Sequence, residues 1–221
     1  MGIKTLVWKK NAEKRMPVNT LKEEVRKEPV TMILILLNIL LFLAVELTGG
    51  SENVEHMLEC GAAYAPYILE KGEWYRLFTC MFLHFGIRHI ENNMLVLLVL
   101  GGRLERAVGK VSFLLIYLLG GVVGNVVSLL TDLDAVNLSV SAGASGAVFA
   151  VMGAMIYVLV RRKGRVEDIT VRQMIIMAAF SLYFGFTSSG VDNAAHIGGM
   201  IGGIIMAVIL YHPRKIRTSV P

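Results

Sequence analysis

Residues 141–165 read SAGASGAVFAVMGAMIYVLVRRKGR, an apolar run with a serine between small residues near its start and a basic cluster at its end. An apolar run of about 20 residues is too long for a core strand and matches the length of a helix that crosses a bilayer. The chain holds six such runs, of which the fifth is the shortest. We therefore predict six transmembrane helices, at Val30–Leu47, Phe82–Leu100, Val111–Leu130, Val140–Val160, Val171–Phe186 and Ala194–Tyr211.

The composition of the whole chain agrees with this assignment. The 221 residues are 55% hydrophobic and 18% charged, and the mean hydropathy is +0.61. A soluble domain has about 45–50% apolar and about 25% charged residues, so a soluble monomer and a disordered chain are both excluded. We predict an all-α membrane protein with a short basic cytoplasmic leader at 1–29, one six-helix domain at 30–211 and a basic cytoplasmic tail at 212–221.

The positions of the 22 Lys and Arg residues indicate the orientation. Eight precede the first helix, and groups of three, five and three follow at alternate connections, whereas the other side holds only Lys71, Arg76 and Arg88. Lys and Arg collect in the cytoplasmic loops of membrane proteins. Both termini are therefore predicted to be cytoplasmic, and the net charge of +5 reflects topology rather than a nucleic-acid partner.

Two polar residues lie at matching depths, Ser145 in the fourth predicted helix and His196 in the sixth. At about 1.5 Å per residue, Ser145 lies about 24 Å from Arg161, and His196 lies about 27 Å from Arg214. A serine among glycines usually serves close helix packing, and a lone membrane histidine usually serves an interhelical hydrogen bond or a proton relay. Their shared depth favours instead a nucleophile with its general base, shallow enough for water to reach.

Two donors on the second predicted helix can complete such a site. His89 and Asn93 are four residues apart and therefore share one face, where their N–H groups can donate to a developing oxyanion. Asn92 faces elsewhere and is the more expendable amide. Glu105, near the inner end of the same helix, is expected to accept hydrogen bonds that tie down the chain there.

The sixth predicted helix offers small residues beside its histidine. Gly199 and Gly203 lie within about 60° of His196 on the helix surface, so another helix can approach closely there. Asp192 precedes this helix at the outer boundary, one turn before the histidine. Because no carboxylate falls inside a span near His196, we expect a Ser–His dyad with Asp192 as a structural residue of the loop.

Several short motifs occur together and in a fixed order along the chain. With these motifs the chain resembles the rhomboid family of intramembrane serine proteases over about Val30 to Tyr211, nearly all but its tails. The motifs are His84-x4-His89-x3-Asn93, Gly101-x3-Glu105-x3-Gly109, Gly124-Asn125, Gly143-Ala144-Ser145-Gly146 and Ala195-His196-Ile197-Gly198-Gly199.

The resemblance implies a six-helix core and a role for each site residue. Ser145 would be the nucleophile and His196 the general base, while His89, Asn93 and the backbone N–H of Ser145 would form the oxyanion hole. The substrates would be transmembrane segments of other proteins, which enter sideways and are cut near the outer face, often after a small residue. The residues expected to support this site are His84, Phe149, Gly143, Gly146, Gly199, Gly203, Arg76 and Glu105.

The chain departs from the family pattern at two positions. Tyr75 stands where a tryptophan commonly precedes the arginine of the first outer loop, and this loop is still expected to be held through Arg76. Phe149 stands where many members carry a tyrosine that stacks on the catalytic histidine. Phenylalanine keeps the stacking and loses only the hydroxyl contact. Cys60 and Cys80 fall on the predicted outer side, either paired in a disulfide or reduced and packed.

We expect an integral protein of a bacterial plasma membrane whose active site opens to the extracytoplasmic side. No metal, nucleotide or other cofactor motif is found, and the expected partners are transmembrane-helix substrates and the lipid bilayer. The short fifth helix and the loop at 187–192 are expected to move and admit the substrate. The alternatives are a catalytically inactive rhomboid-like protein that binds transmembrane helices, and a small transporter that uses His89 and His196 as a proton relay.

Overall fold

The computed structural model describes residues 28–133, 138–188 and 190–212. Each of the six predicted apolar runs overlaps one long helix. Three short helices and a 3₁₀ turn at Cys80–Phe82 occupy the segment between the first two long helices. The helices are α1 Pro29–Thr48, α2 Val54–Glu59, α3 Ala65–Leu69, α4 Arg76–Thr79, α5 Ile87–Val108, α6 Lys110–Asp132, α7 Ser145–Arg161, α8 Val171–Thr187 and α9 Asn193–Leu210.

Two of the predicted helices have bounds that differ clearly from those in the structure. The second long helix begins at Ile87 rather than Phe82 and continues to Val108, because Gly86 and Gly109, with φ of 73° and 91°, bound it at its two ends. The fourth begins at Ser145 rather than Val140. Backbone hydrogen bonds pair Ser141 with Ala63 instead, in an isolated antiparallel bridge that holds this stretch extended.

The helices differ in how well they suit a membrane span. Within the described residues, α1, α6 and α9 are long and apolar enough to cross a bilayer, while α7 and α8 are apolar and 17 residues long. The 22-residue α5 has a lower hydropathy because it carries five charged side chains. The count of six spans and the side of each terminus therefore stay predictions. Most of the predicted leader and tail lies outside the described residues.

Helix α7 lies at the centre of the bundle, and α6 and α9 pack directly against it. All ten residues from Gly146 to Met155 are buried. A Cβ atom at Gly203 of α9 would overlap the backbone of Ala150, and one at Gly120 of α6 would overlap the Ala150 side chain. Glycine at these positions therefore lets the three helices approach backbone to backbone, as small residues commonly do between membrane helices.

Large apolar side chains cover the outside of the bundle. On α8, four aromatic side chains are more than half exposed, and on α9 a stripe of isoleucines is exposed to a similar degree. An exposed apolar band of this extent suits contact with lipid chains. The exposed side chains are Phe180, Tyr183, Phe184 and Phe186 on α8 and Ile201, Ile205 and Ile209 on α9.

Glu105 fixes the start of α1 at the end of the bundle remote from Ser145. Its carboxylate accepts hydrogen bonds from the backbone N–H groups of Val30 and Thr31, at 3.1 and 2.8 Å, and from the Thr31 hydroxyl at 2.8 Å. The first N–H groups of a helix have no partner within it, and an anion there also meets the positive end of the helix dipole. Glu105, although 98% buried, is therefore compensated within the fold.

A short hairpin, β1 Arg165–Val166 and β2 Ile169–Thr170, lies between α7 and α8 and was not expected in an all-helical chain. Its turn carboxylates form ion pairs with α5: Asp168 with Arg103 at 2.9 Å and Glu167 with Arg106 at 2.8 Å. The facing guanidinium groups lower the pKa of both carboxyls below their ordinary values. These pairs hold the chain leading into α8 against the end of α5.

The two ion pairs predict a pH-dependent contribution to stability. Because the carboxyl pKa values are lower in the folded state, the stabilisation is present above the unfolded values of about 4 and is lost as the pH falls through the folded ones. The melting temperature of the wild type should therefore fall more steeply from pH 6 to pH 3 than that of Glu167→Gln/Asp168→Asn. The effect is small, since exposed pairs contribute little. Parallel pH curves from thermal unfolding in detergent would contradict the prediction.

Candidate active site

Ser145 is the first residue of α7 and is partly exposed, although the helix behind it is buried. The first intrahelical hydrogen bond runs from the Val148 N–H to the Ala144 carbonyl at 2.9 Å. The N–H groups of the three preceding residues therefore have no partner within the helix. Ser145 thus presents its hydroxyl at a helix N-terminus, where free N–H groups and the helix dipole favour negative charge.

The segment before Ser145 is fixed by contacts with several other elements. The Gly143 N–H donates to the Cys80 carbonyl at 2.9 Å, and the Ala144 N–H donates to Nε2 of His84 at 3.2 Å. A ring nitrogen that accepts is unprotonated, so His84 is in a neutral form. Gly143 has a φ of 152°, and a Cβ atom there would lie 2.7–2.8 Å from the ring of His89. Glycine is therefore required where residues 141–144, the segment before Ser145, pass His89.

His196 lies in the first turn of α9 and is 7% exposed. Its ring stacks on Phe149 of α7 with a centroid separation of 4.2 Å and an interplanar angle of 12°. One turn further along α9, a Cβ atom at Gly199 would overlap the Gly146 carbonyl oxygen. The aromatic stack and this close backbone approach together set the position of the imidazole relative to the start of α7.

A cavity of about 1080 Å³ brings the four predicted catalytic side chains together. Ser145 and His196 line it with His89 and Asn93 of α5, and α8 forms part of its wall. In the part of the chain that the structure describes, no hydrogen bond joins Ser145 to His196, and the Asn93 amide donates to the His89 carbonyl at 3.1 Å. Catalytic hydrogen bonds are often long in the absence of substrate, so this geometry is compatible with a nucleophile–base pair.

The comparison with known proteins assigns the family. A family model described as the Rhomboid domain matches residues 71–213, which is more than half of the chain. The chain belongs to the rhomboid family. The resemblance drawn from the sequence motifs is thereby confirmed, and with the apolar helices it identifies an integral membrane protein.

Individual rhomboid relatives carry protease names. The chain is 39% identical over 188 residues to rhomboid protease GluP of Bacillus subtilis, covering 85% of this chain and 36% of that protein. It is 31% identical over 214 residues to rhomboid protease AarA of Providencia stuartii, covering 86% and 75%. RHOMBOID-like protein 7 of Arabidopsis thaliana is 36% identical over 168 residues, with 75% and 51% covered. This rhomboid chain thus spans about a third of the length of GluP.

Arg76, the remaining predicted support residue of the rhomboid chain, is the buried first residue of α4. Arg76, 4% exposed, donates to the carbonyls of Leu58 and Ala62 at 2.7 and 2.8 Å and pairs with Glu73. It therefore holds the α2–α4 segment together, and this pairing lowers the pKa of the Glu73 carboxyl. Tyr75 is exposed. Cys60 and Cys80 are both free thiols, and Cys80 is buried.

Two polar side chains at the cavity of this rhomboid chain, Asn125 and Asp192, make contacts across the fold that the sequence did not predict. Asn125 donates from Nδ2 to the Leu77 carbonyl at 2.8 Å and contacts the sulfur of Cys80 at 3.1 Å. Asp192 caps α9 and also accepts hydrogen bonds from two serine hydroxyls. An Asp immediately before an apolar helix is an N-cap signal, which identifies the capping role but not the partners across the fold.

Proposed function

We propose that this chain is an intramembrane serine endopeptidase that uses a Ser145–His196 dyad. The observation that carries the proposal is the convergence of Ser145, His196, His89 and Asn93 on one cavity at an end of the helix bundle. A serine hydroxyl needs a base to become a nucleophile, and the tetrahedral oxyanion needs preorganised donors. The relatives named rhomboid proteases support the same reaction.

In the proposed mechanism, Ser145 Oγ attacks the scissile carbonyl carbon while His196 removes the hydroxyl proton. The carbonyl oxygen becomes an oxyanion, which accepts hydrogen bonds from the Ser145 N–H and from His89 and Asn93. When the tetrahedral intermediate collapses, the C–N bond breaks and His196 transfers its proton to the leaving amine. Water then attacks the acyl-enzyme by the same route, regenerates Ser145 and releases the new carboxyl terminus.

The Phe149 stack and the N-terminus of α7 each have a role in this mechanism. The Phe149 ring stacks on the His196 imidazole and restricts its rotation, which keeps the proposed base against α7. A free N-terminus of α7 stabilises the oxyanion further through its unpaired N–H groups. Positioning of this kind avoids reorganisation at the moment of reaction, which is the main source of electrostatic catalysis.

We further propose that Ser145 and His196 open to the extracytoplasmic side of a bacterial plasma membrane, with both termini in the cytoplasm. The alternating basic residues support this orientation, and the shallow depth of the dyad gives water access. The substrates are then transmembrane segments of other membrane proteins, cut near the outer face. The described residues of α8 support a lateral entry, because only Met174, Ala178 and Gly185 of its 17 residues are buried. Ser189 of the proposed gate loop lies outside the described residues.

The function is tested by reconstituting the wild type and Ser145→Ala in proteoliposomes with a transmembrane reporter substrate. We expect cleavage by the wild type and none by Ser145→Ala. Equal cleavage by both, or cleavage by neither across several reporters, would overturn the protease proposal. Reporter binding without cleavage would instead support a helix-binding rhomboid protein.

A disulfide that locks α5 to α8 should block entry of the substrate into the cavity. Undiminished cleavage by the locked protein would contradict the proposed gate.

Gly143→Ala is expected to lower kcat by about 10²-fold, since the new Cβ would displace the His89 ring and strain the segment that carries Ser145. The substitution adds one methyl group, so KM should change little. The matched control is Gly72→Ala, because Gly72 also has a positive φ, of 72°, but nothing lies within 4 Å of an added Cβ. Equal kcat values for the two variants would contradict the assigned role of Gly143.

A further inference from the structure

We propose that Asp192 is a positioning residue that holds the nucleophile segment, residues 141–144 before Ser145, in a fixed relation to α9, the helix of the proposed general base. The inference rests on the proposed function and deepens it. It departs from the expectation that Asp192 is only part of the loop structure. Its basis is a set of three hydrogen bonds that one carboxylate makes to three different parts of the fold.

The two carboxylate oxygens of Asp192 have separate partners. Oδ1 accepts the Ala195 N–H at 2.8 Å, which caps the N-terminus of α9. Oδ2 accepts the hydroxyl of Ser128, from α6, at 2.6 Å and the hydroxyl of Ser141, from the nucleophile segment, at 2.8 Å. The bonds bring together residues that are 51 and 64 positions away from Asp192 in the sequence. A single side chain therefore joins α6, α9 and the segment before α7.

Both ends of this connection are close to the reacting groups. Ser141 precedes Ser145 by four residues, and the His196 N–H donates to the Asp192 carbonyl at 3.2 Å in the first turn of α9. The backbone pairing with Ala63 fixes Ser141 from one side, and Asp192 fixes it from the other. A change at Asp192 would therefore move the nucleophile segment relative to the base.

Asp192 acts on two serine hydroxyls and on the backbone of α9 rather than on the imidazole. Among the described residues, Nδ1 of His196 has no hydrogen-bond partner, so Asp192 does not stand as the third member of a catalytic triad. A carboxylate suits the positioning role because it is an acceptor at every lone pair, and it can receive two hydroxyls and one N–H together. An amide of the same shape has only one acceptor oxygen, so it can keep the bond from the Ala195 N–H but can meet the serine oxygens only by donating to them, which reverses those hydrogen bonds and changes their geometry.

The test uses the full chain in proteoliposomes with the transmembrane reporter. Asp192→Asn is expected to lower kcat about 10²-fold with KM unchanged, since a misplacement of about 1 Å between reacting groups has an effect of this size. The rate of Ser145 labelling by a fluorophosphonate should fall in parallel, while the melting temperature stays near the wild-type value. The control is Glu70→Gln, which removes an exposed carboxylate between α3 and α4. This variant should match the wild type.

Variants of Ser141 keep the proposal testable if Asp192→Asn does not fold. Ser141→Ala removes one hydrogen bond and leaves the charge, and it should lower kcat about tenfold. Ser141→Thr retains the hydroxyl and should restore the wild-type rate. Unchanged kcat in Asp192→Asn or Ser141→Ala would overturn the positioning role, and so would a loss of activity that follows the melting temperature alone. An inactive wild type would overturn the proposed protease function together with this role.

Discussion

His196→Ala is expected to lower kcat for a transmembrane substrate by about 10⁴-fold or more while leaving the fold intact. The imidazole is the base in the proposed dyad, and among the described residues no other histidine stacks on Phe149. Removing one member of a nucleophile–base unit typically costs nearly as much as removing the whole unit. The measurement is single-turnover cleavage in proteoliposomes, with thermal unfolding to confirm that the variant is folded.

Two comparisons make this prediction specific. Ser145→Ala/His196→Ala should be no slower than either single variant, because the two side chains act as one unit. His212→Ala, which changes an exposed histidine beyond the end of α9, should retain the wild-type rate. Cleavage by His196→Ala within tenfold of the wild type would show that another group accepts the serine proton.

Gly203→Leu should destabilise the protein by about 3 kcal/mol, at the upper end of the usual range for overpacking. The new side chain would begin inside the carbonyl group of Ala150, and a backbone cannot move aside as a flexible side chain can. For a chain of this size the corresponding drop in melting temperature is about 6–12 °C. Thermal unfolding in detergent measures the change, and activity should fall at the same time because α9 carries His196.

The control for Gly203→Leu is Ile209→Phe, which adds volume to the same helix on a side chain that is 58% exposed. A lipid-facing position has no opposing backbone, so its melting temperature should stay within about 2 °C of the wild type. A similar drop in melting temperature in both variants would mean that α9 tolerates no larger side chain at either position. The close approach at Gly203 would then not be the cause of the destabilisation.

The apolar runs predicted the long helices well because their length alone separates a helix from a strand. The errors fall at Phe82–Gly86 and Val140–Ala144, where apolar residues continue beyond the helix. Hydropathy cannot distinguish these segments, because other features set where each helix begins: the positive φ of Gly86 at one site and a long-range backbone bridge to Ala63 at the other. The hairpin turn depends likewise on arginines about 60 residues away.

The candidate site was predicted from polar residues at matching depth and from family motifs. That reasoning can identify Ser145, His196, His89 and Asn93, because each is costly in lipid or part of a motif. It cannot find Ser128 or Ser141 as partners of Asp192, since a serine is inexpensive anywhere and pairing across the fold leaves no local pattern. It also could not show which carbonyl groups Arg76 binds.

The length of α8 has a consequence for the surrounding lipid. Its 17 residues span only about 26 Å at about 1.5 Å per residue, and the hydrocarbon core is about 30 Å thick. Because most of α8 faces outward, the proposed span at α8 requires lipids on this side to thin or the helix ends to be drawn inward. Under this proposal, acyl-chain length should change the bundle most strongly at this one edge, so the choice of host lipid becomes a way to adjust the proposed substrate entry without altering a residue.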